Sequence, residues 1–304
     1  MFTARTRLSI ALGAVAVSAL ALAGCASSDP LTGGDDGSSD SGSSETIVIG
    51  SQAYPSNELI AEIYAQALEA GGFEVERNFN IGQRDAYIPS LEDGSIDLFP
   101  EYSGNLLQFF DPDATATTSD DVYAALQEAL PENLTVLDQS SATDQDSYNV
   151  TSAFAEENGL VSIADLAGID GLVLGGNPEL EERPYGPTGL LDTYGVEVTF
   201  NPTADTTVDE LVAGNIQIAN VYTADPRIGT NDLVTLEDPE GLFLASNVVP
   251  VVNAEIADDI ADIINAVSAA LTPEGLVALN VQYTVDQLSL EDVAADWLAE
   301  NNLN

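Results

Sequence analysis

The 304-residue chain has no histidine, no lysine and a single cysteine. Histidine is the side chain whose ordinary pKa lies near neutrality, so the usual general base is missing. Hydrolases built on a Ser-His or Cys-His pair are excluded, and so are His-ligated metal sites. The one cysteine, Cys25, lies in an N-terminal leader. The body therefore holds no thiol nucleophile, no disulfide and no thiolate cluster. Positive charge is nearly as scarce, with six arginines against 51 acids. Arg5 and Arg7 belong to the leader, which leaves Arg77, Arg84, Arg183 and Arg227 in the body. No acid precedes Asp29, so the body sets four arginines against 51 acids, a net charge of −47. Such a surface repels nucleic acid and anionic headgroups, which excludes both as principal ligands. The acidity itself reads as a solvated surface suited to high salt, where screening weakens self-repulsion.

What is present starts with the leader. Two arginines precede the apolar run from Leu8 to Ala23, the layout of a secretory signal. The run is too short, and too soon followed by polar sequence, for a permanent membrane span. It ends Leu22-Ala23-Gly24-Cys25, which resembles a bacterial lipobox and implies cleavage before Cys25 and lipid on its sulfur. Residues 26–45, rich in Ser, Gly and Asp, form a tether with almost nothing to bury.

The body opens with a strand over residues 46–50 and a helix that starts at Pro55-Ser56-Asn57. That helix carries Leu59, Ile60, Ile63, Tyr64, Ala67 and Leu68 on one face and ends at Gly71-Gly72. A strand at residues 73–77, a short helix at 86–91 and a buried strand at 96–99 follow. This alternation predicts right-handed βαβ units on a parallel sheet. Pro100 is expected to stop the third strand, which leaves Glu101, Tyr102 and Ser103 at a strand-to-helix corner, where open α/β sheets place ligands. A helix is expected from Ser119, with Ser119 as its N-cap, and a strand over residues 134–137. The pattern then restarts, with helices near 163–166, 189–194 and 208–213 and strands at 172–174, 196–200 and 216–221. The run 248–252 contains Pro250 and predicts an edge or crossing strand. Three helices, near 258–271, 273–281 and 290–300, end the chain and are expected to pack on the first α/β set.

Several candidate residues can meet in one crevice. Tyr102 ends one strand, Tyr222 ends another, and Tyr148 lies between the two α/β sets. Tyrosine faces attract a quaternary ammonium by roughly 0.5–2 kcal/mol per desolvated ring, and each hydroxyl adds orientation. Arg183 offers a planar fork to a carboxylate. Its alternative is an ion pair with Glu181 or Glu182. Paired acids among Asp97, Glu101, Asp146 and Asp225 leave glycoside cleavage open, and a ligand-sensing receptor domain is also open.

The segments Gly50 to Ser56, Asp97 to Gly104, Asp146-Ser147-Tyr148 and Asn220 to Asp225 resemble successive signatures of one family. That family is the substrate-binding proteins of osmoprotectant ABC importers. The resemblance implies an α/β fold of the two-lobed periplasmic-binding-protein (type II) architecture, with two crossing segments and a C-terminal helical tail. It places a leader at 1–25, a tether at 26–45, one lobe at 46–146 plus 248–304 and the other at 147–247. Tyr102, Tyr148 and Tyr222 then take cage positions and Arg183 the carboxylate position. Asp146, Asn105 and Gln52 become nearby polar contacts. Where many members carry a further cage tyrosine this chain reads Ser246-Asn247, so Ser246 or Asn247 stands there instead, one side of the cage is open, and a more polar zwitterion such as an amino acid derivative is the alternative ligand. The implied activity is binding, not catalysis, and no cofactor is implied. The implied partners are a zwitterion or quaternary ammonium, ABC permease subunits, and the membrane only through lipid on Cys25 at its extracytoplasmic face.

Overall fold

A computed structural model describes residues 46–304. The leader, Cys25 and the tether expected at 26–45 lie outside the described residues. Ten strands form two five-stranded sheets: β1 (Ile47–Gly50), β2 (Val75–Asn78), β3 (Leu98–Tyr102), β4 (Leu134–Val136), β5 (Asp146–Thr151), β6 (Leu172–Gly176), β7 (Val198–Pro202), β8 (Ile218–Tyr222), β9 (Leu233–Thr235) and β10 (Val248–Asn253). The first sheet has the order β2-β1-β3-β10-β4 and the second β7-β6-β8-β5-β9. In each sheet four strands share one direction, and the strand arriving from the other lobe, β10 or β5, runs antiparallel between two of them. The molecule is thus an α/β fold of two lobes joined by two crossing segments.

The helix Pro55–Ala70, α1, follows β1 with proline in its first turn, where a missing N–H costs nothing. Its apolar face (Leu59, Ile60, Ile63, Tyr64 and Leu68) is essentially inaccessible to solvent. It packs in one cluster with Ile260 and Ile264 of the helix Ala257–Ala270, and with Val293 and Trp297 of the helix Leu290–Glu300. The C-terminal helices therefore cover the first lobe.

The strand expected to stop at Pro100 needs correction, and of the two alternatives for 248–252 the crossing strand holds while the edge strand does not. β3 continues through Pro100 to Tyr102, and β10 lies inside its sheet between β3 and β4 despite Pro250. Pro250 sits opposite Pro100 in the β3–β10 ladder. The Pro250 carbonyl accepts from the Leu137 amide beyond β10, and the Pro100 carbonyl accepts from Asn57 Nδ2 on the far side of β3. Each proline's backbone groups thus point away from the other, at a register position where the ladder asks neither for an N–H. Smaller differences also have local causes. The helix expected near 163–166 is a single 3₁₀ turn held by a Ser162–Asp165 capping box. The cap of the helix Ser119–Ala129 is Thr118, whose hydroxyl accepts from the Asp121 amide. The three-residue strand β9 was not expected from the sequence.

Candidate functional site

The carboxyl ends of the parallel strands in both sheets open onto one interlobe cleft, and the sequence puts its rings and charges there. From the first lobe come Gln52 and Tyr54 in the turn between β1 and α1, Arg84 at the start of the helix Arg84–Glu92 (α2), Tyr102 at the end of β3, and Asn105 in the helix Ser103–Phe110 (α3). From the second sheet and the segment leading into it come Asp144, which precedes β5, Asp146 at the start of β5, Arg183 and Tyr185 after the 3₁₀ turn Pro178–Glu182, and Asn220 and Tyr222 of β8. The cavity they line is a slot of only about 20 Å³, room for about one water. Beside it lies a wider chamber of about 570 Å³ that shares Tyr54, Asp144, Asn220 and Tyr222.

Three phenol rings meet at the slot. Tyr54 stacks on Tyr102 with centroids 6.2 Å apart and touches Tyr222 across the cleft at 5.2 Å. Burial pushes the hydroxyl pKa of all three well upward, so these rings stay neutral donors at any working pH. Polar groups surround them. Gln52 is held through its amide N–H to Asn57 Oδ1 at 2.8 Å, while its buried Nε2 has no partner. Asn105 Nδ2 donates to Asp146 Oδ2 at 2.7 Å and to the Tyr185 hydroxyl at 3.0 Å. Burial raises the Asp146 carboxyl, and the Asn105 hydrogen bond opposes that rise.

The four body arginines divide unequally. Arg77 pairs with Glu62 and Glu69, Arg227 with Asp225, and Arg84 with the fully buried Glu101 at 2.7 Å. Glu101 also accepts from the Tyr87 hydroxyl and the Tyr102 amide, so this pair fixes the end of β3. Arg183 has no ion pair among the described residues, and its buried Nη2 lacks any hydrogen-bond partner. The ion pair weighed for it in the sequence does not form, and Arg183 lines the slot with that Nη2 unpartnered. Neutral phenols, carboxylates and a guanidinium without an ion pair, all lining one slot, complement a molecule that carries both charges.

Residues 45–300 match the family described as the substrate-binding domain of the ABC-type glycine betaine transport system. The chain belongs to this family. It is 26% identical over 274 residues to the glycine betaine-binding protein YehZ of Escherichia coli, an alignment covering 84% of this chain and 90% of that one. It is likewise 26% identical over 284 residues to a glycine-betaine-binding protein of Pseudomonas aeruginosa, covering 85% and 89%. Its fold resembles the crystal structure of a glycine betaine/carnitine/choline ABC transporter, with a TM-score of 0.71 at 20% identity over 84% of this chain and 99% of that one. Members of the family are binding proteins, so the carboxylate pairs that left glycoside cleavage open are not catalytic.

Within this member of the family the candidate residues are distributed unevenly. Tyr102, Tyr222, Arg183, Asp146, Asn105 and Gln52 all line the slot. Tyr148 does not: it is fully buried in the second lobe, its ring against Phe243 at 5.1 Å and its hydroxyl donating to the Tyr185 carbonyl. Successive residues of a strand face opposite sides, so Asp146 and Tyr148 share a face of β5; Tyr148 reaches beneath Tyr185, which takes the place at the slot. Asn247 is also turned away. Its side chain accepts from Ser119 Oγ at 2.7 Å and donates to the Ser140 carbonyl at 2.9 Å, joining the two crossing segments. Its neighbour Ser246 accepts from the Gly104 and Asn105 amides and donates to Asn105 Oδ1. Slot residues not singled out in the sequence include Tyr54, Arg84, Asp144, Glu179 and Tyr185. Tyr54 stands inside the first quoted segment and Tyr185 two residues after Arg183, so a signal for both was present.

Proposed function

We propose that this protein captures a quaternary-ammonium zwitterion of the glycine betaine type and delivers it to an ABC permease. The ammonium would sit against Tyr54, Tyr102 and Tyr222, and the carboxylate would take Arg183 Nη2, with Gln52 Nε2 as a further donor. The observation that carries this reading is the convergence of three rings from both lobes beside Arg183, the body arginine without a carboxylate partner among the described residues. Delivery on the extracytoplasmic face, with the body held by lipid on Cys25, accords with the lipobox-like leader. The slot is narrower than such a solute, so capture requires the lobes to part and close again. We place the moving boundary at the crossing segments, where Thr143 pairs with Asn247, between a lobe of residues 46–146 plus 248–304 and one of 147–247.

Titration calorimetry with glycine betaine tests the reading. Saturable binding is expected, and Arg183→Ala should weaken it at least about tenfold, or 1.4 kcal/mol. Absence of binding to glycine betaine, carnitine and choline alike would overturn it.

A further inference from the structure

Charge around the slot does not balance. Two buried carboxylates line it, Asp144 at 3% and Asp146 at 4% exposure, and a third, Glu179, is only half-buried and keeps its contact with solvent. Against them stands the unpaired guanidinium of Arg183, because Arg84 is already neutralised by Glu101. Set against Arg183, the two buried acids leave one negative charge too many when both are ionised and balance it when one of them holds a proton. The two acids are unequally supported. Asp146 receives Asn105 Nδ2 at 2.7 Å, and Asn105 is itself fixed by Ser246. Asp144 receives a backbone N–H, that of Ala224 at 2.9 Å.

Asp144 also stands where the two cavities join, in the walls of both the slot and the chamber. The groups facing it are the phenols of Tyr54, Tyr102 and Tyr222, the Ser56 hydroxyl in the first turn of α1, and the carboxylates of Asp146 and Asp225. The Asp225 charge is itself met by Arg227 at 2.7 Å. No guanidinium pairs with Asp144 among the described residues.

We propose that Asp144 is a proton-exchanging counter-charge that fits one slot to ligands of two net charges. A zwitterion brings its own carboxylate, leaves the slot balanced, and Asp144 keeps its proton. A quaternary ammonium without a carboxylate, of the choline type, adds one uncompensated positive charge; the Asp144 carboxyl then releases its proton to solvent and the carboxylate remains as counter-ion. The proposal rests on the function proposed above and adds a residue that sets specificity by charge. Burial, more than the nearby Asp225 and Asp146 charges, pushes the Asp144 carboxyl up to about 7, so the exchange falls within ordinary working pH.

The sign follows from linkage. A cation favours ionised Asp144, so its affinity is full above about pH 7 and falls as the free protein takes up the proton below it. Between about pH 8 and 5.5 the choline-to-betaine affinity ratio should drop about 30-fold. Calorimetry on the folded protein in two buffers of different ionisation enthalpy, at about pH 6, counts the proton directly. Choline chloride is expected to release about one proton per molecule bound and glycine betaine about none. In Asp144→Asn, which keeps an acceptor for the Ala224 amide, the difference in proton count should vanish and the ratio should become flat with pH. Equal proton counts for the two ligands in the wild type would overturn the proposal, a result that does not depend on the variant folding. Betaine binding with no choline binding at about pH 8 would overturn it while the proposed function stands. Loss of binding to both would end that function and this proposal together.

Discussion

Two tyrosines that look alike in the sequence have opposite roles in the structure, and their variants should separate. Tyr222 presents its ring to Tyr54 across the cleft and is only half-buried. Tyr222→Ala should weaken glycine betaine binding about tenfold, within the range for losing one desolvated ring, while the melting temperature stays near that of the wild type. Tyr148 is a core residue whose hydroxyl satisfies the Tyr185 carbonyl. Tyr148→Phe removes that donor and leaves a buried acceptor unmet, at about 1–3 kcal/mol in urea unfolding. Near-equal loss of binding in both variants, with no loss of stability in Tyr148→Phe, would contradict this division. The sequence could not make it, because a tyrosine at the start of a buried strand reads the same whether its ring meets ligand or core. Asp144 was hidden for a different reason. Among 51 acids a single aspartate carries no signal until its burial is known. Arg183 was legible because positive charge is so scarce.

Short elements hold the site through contacts far apart in sequence. Helix α3 has eight residues and no cap from its own preceding residue. Its first amides are met instead by Ser246 Oγ, 3.1 Å from the Gly104 nitrogen and 3.2 Å from that of Asn105. The same hydroxyl donates to Asn105 Oδ1, which turns the Asn105 amide group toward Asp146. Ser246→Ala should therefore cost about 1–2 kcal/mol, the range for a lost N-cap, measured by urea unfolding. It should also weaken glycine betaine binding by freeing Asn105; a fall in stability with unchanged affinity would show that Asn105 does not need this tether. Nothing local marks Ser246 as a cap, since its helix lies 141 residues earlier. The β3–β10 ladder shows the same limit. Each proline alone argues against an interior strand, and only their register opposite one another reconciles both with the sheet. Where local and tertiary preferences agree, as in α1 and the helix Leu290–Glu300, periodicity and Gly or Pro signals located the elements to within a residue or two.

At the scale of the whole molecule the dominant force besides the two cores is like-charge repulsion. The body sets 51 acids against four arginines, and among the described residues three of those four are committed to local pairs. Salt acts on the two kinds of interaction in opposite directions. It weakens the ion pairs of Arg77 and Arg227, which are partly exposed and worth at most about 1 kcal/mol each. It also screens repulsion among dozens of unpaired carboxylates, as the Debye length shrinks from about 10 Å at 0.1 M to about 3 Å at 1 M. The many weak repulsions outnumber the few weak attractions, while the buried Arg84–Glu101 pair is shielded from the solvent and changes little. The melting temperature should therefore rise by several degrees, equivalent to about 1–2 kcal/mol for a chain of this size, as sodium chloride goes from about 0.1 to 1 M. Chloride is chosen over sulfate so that screening, not strengthened burial of apolar surface, is the variable. A flat or falling melting temperature over that range would mean that the acids are spaced widely enough not to feel one another.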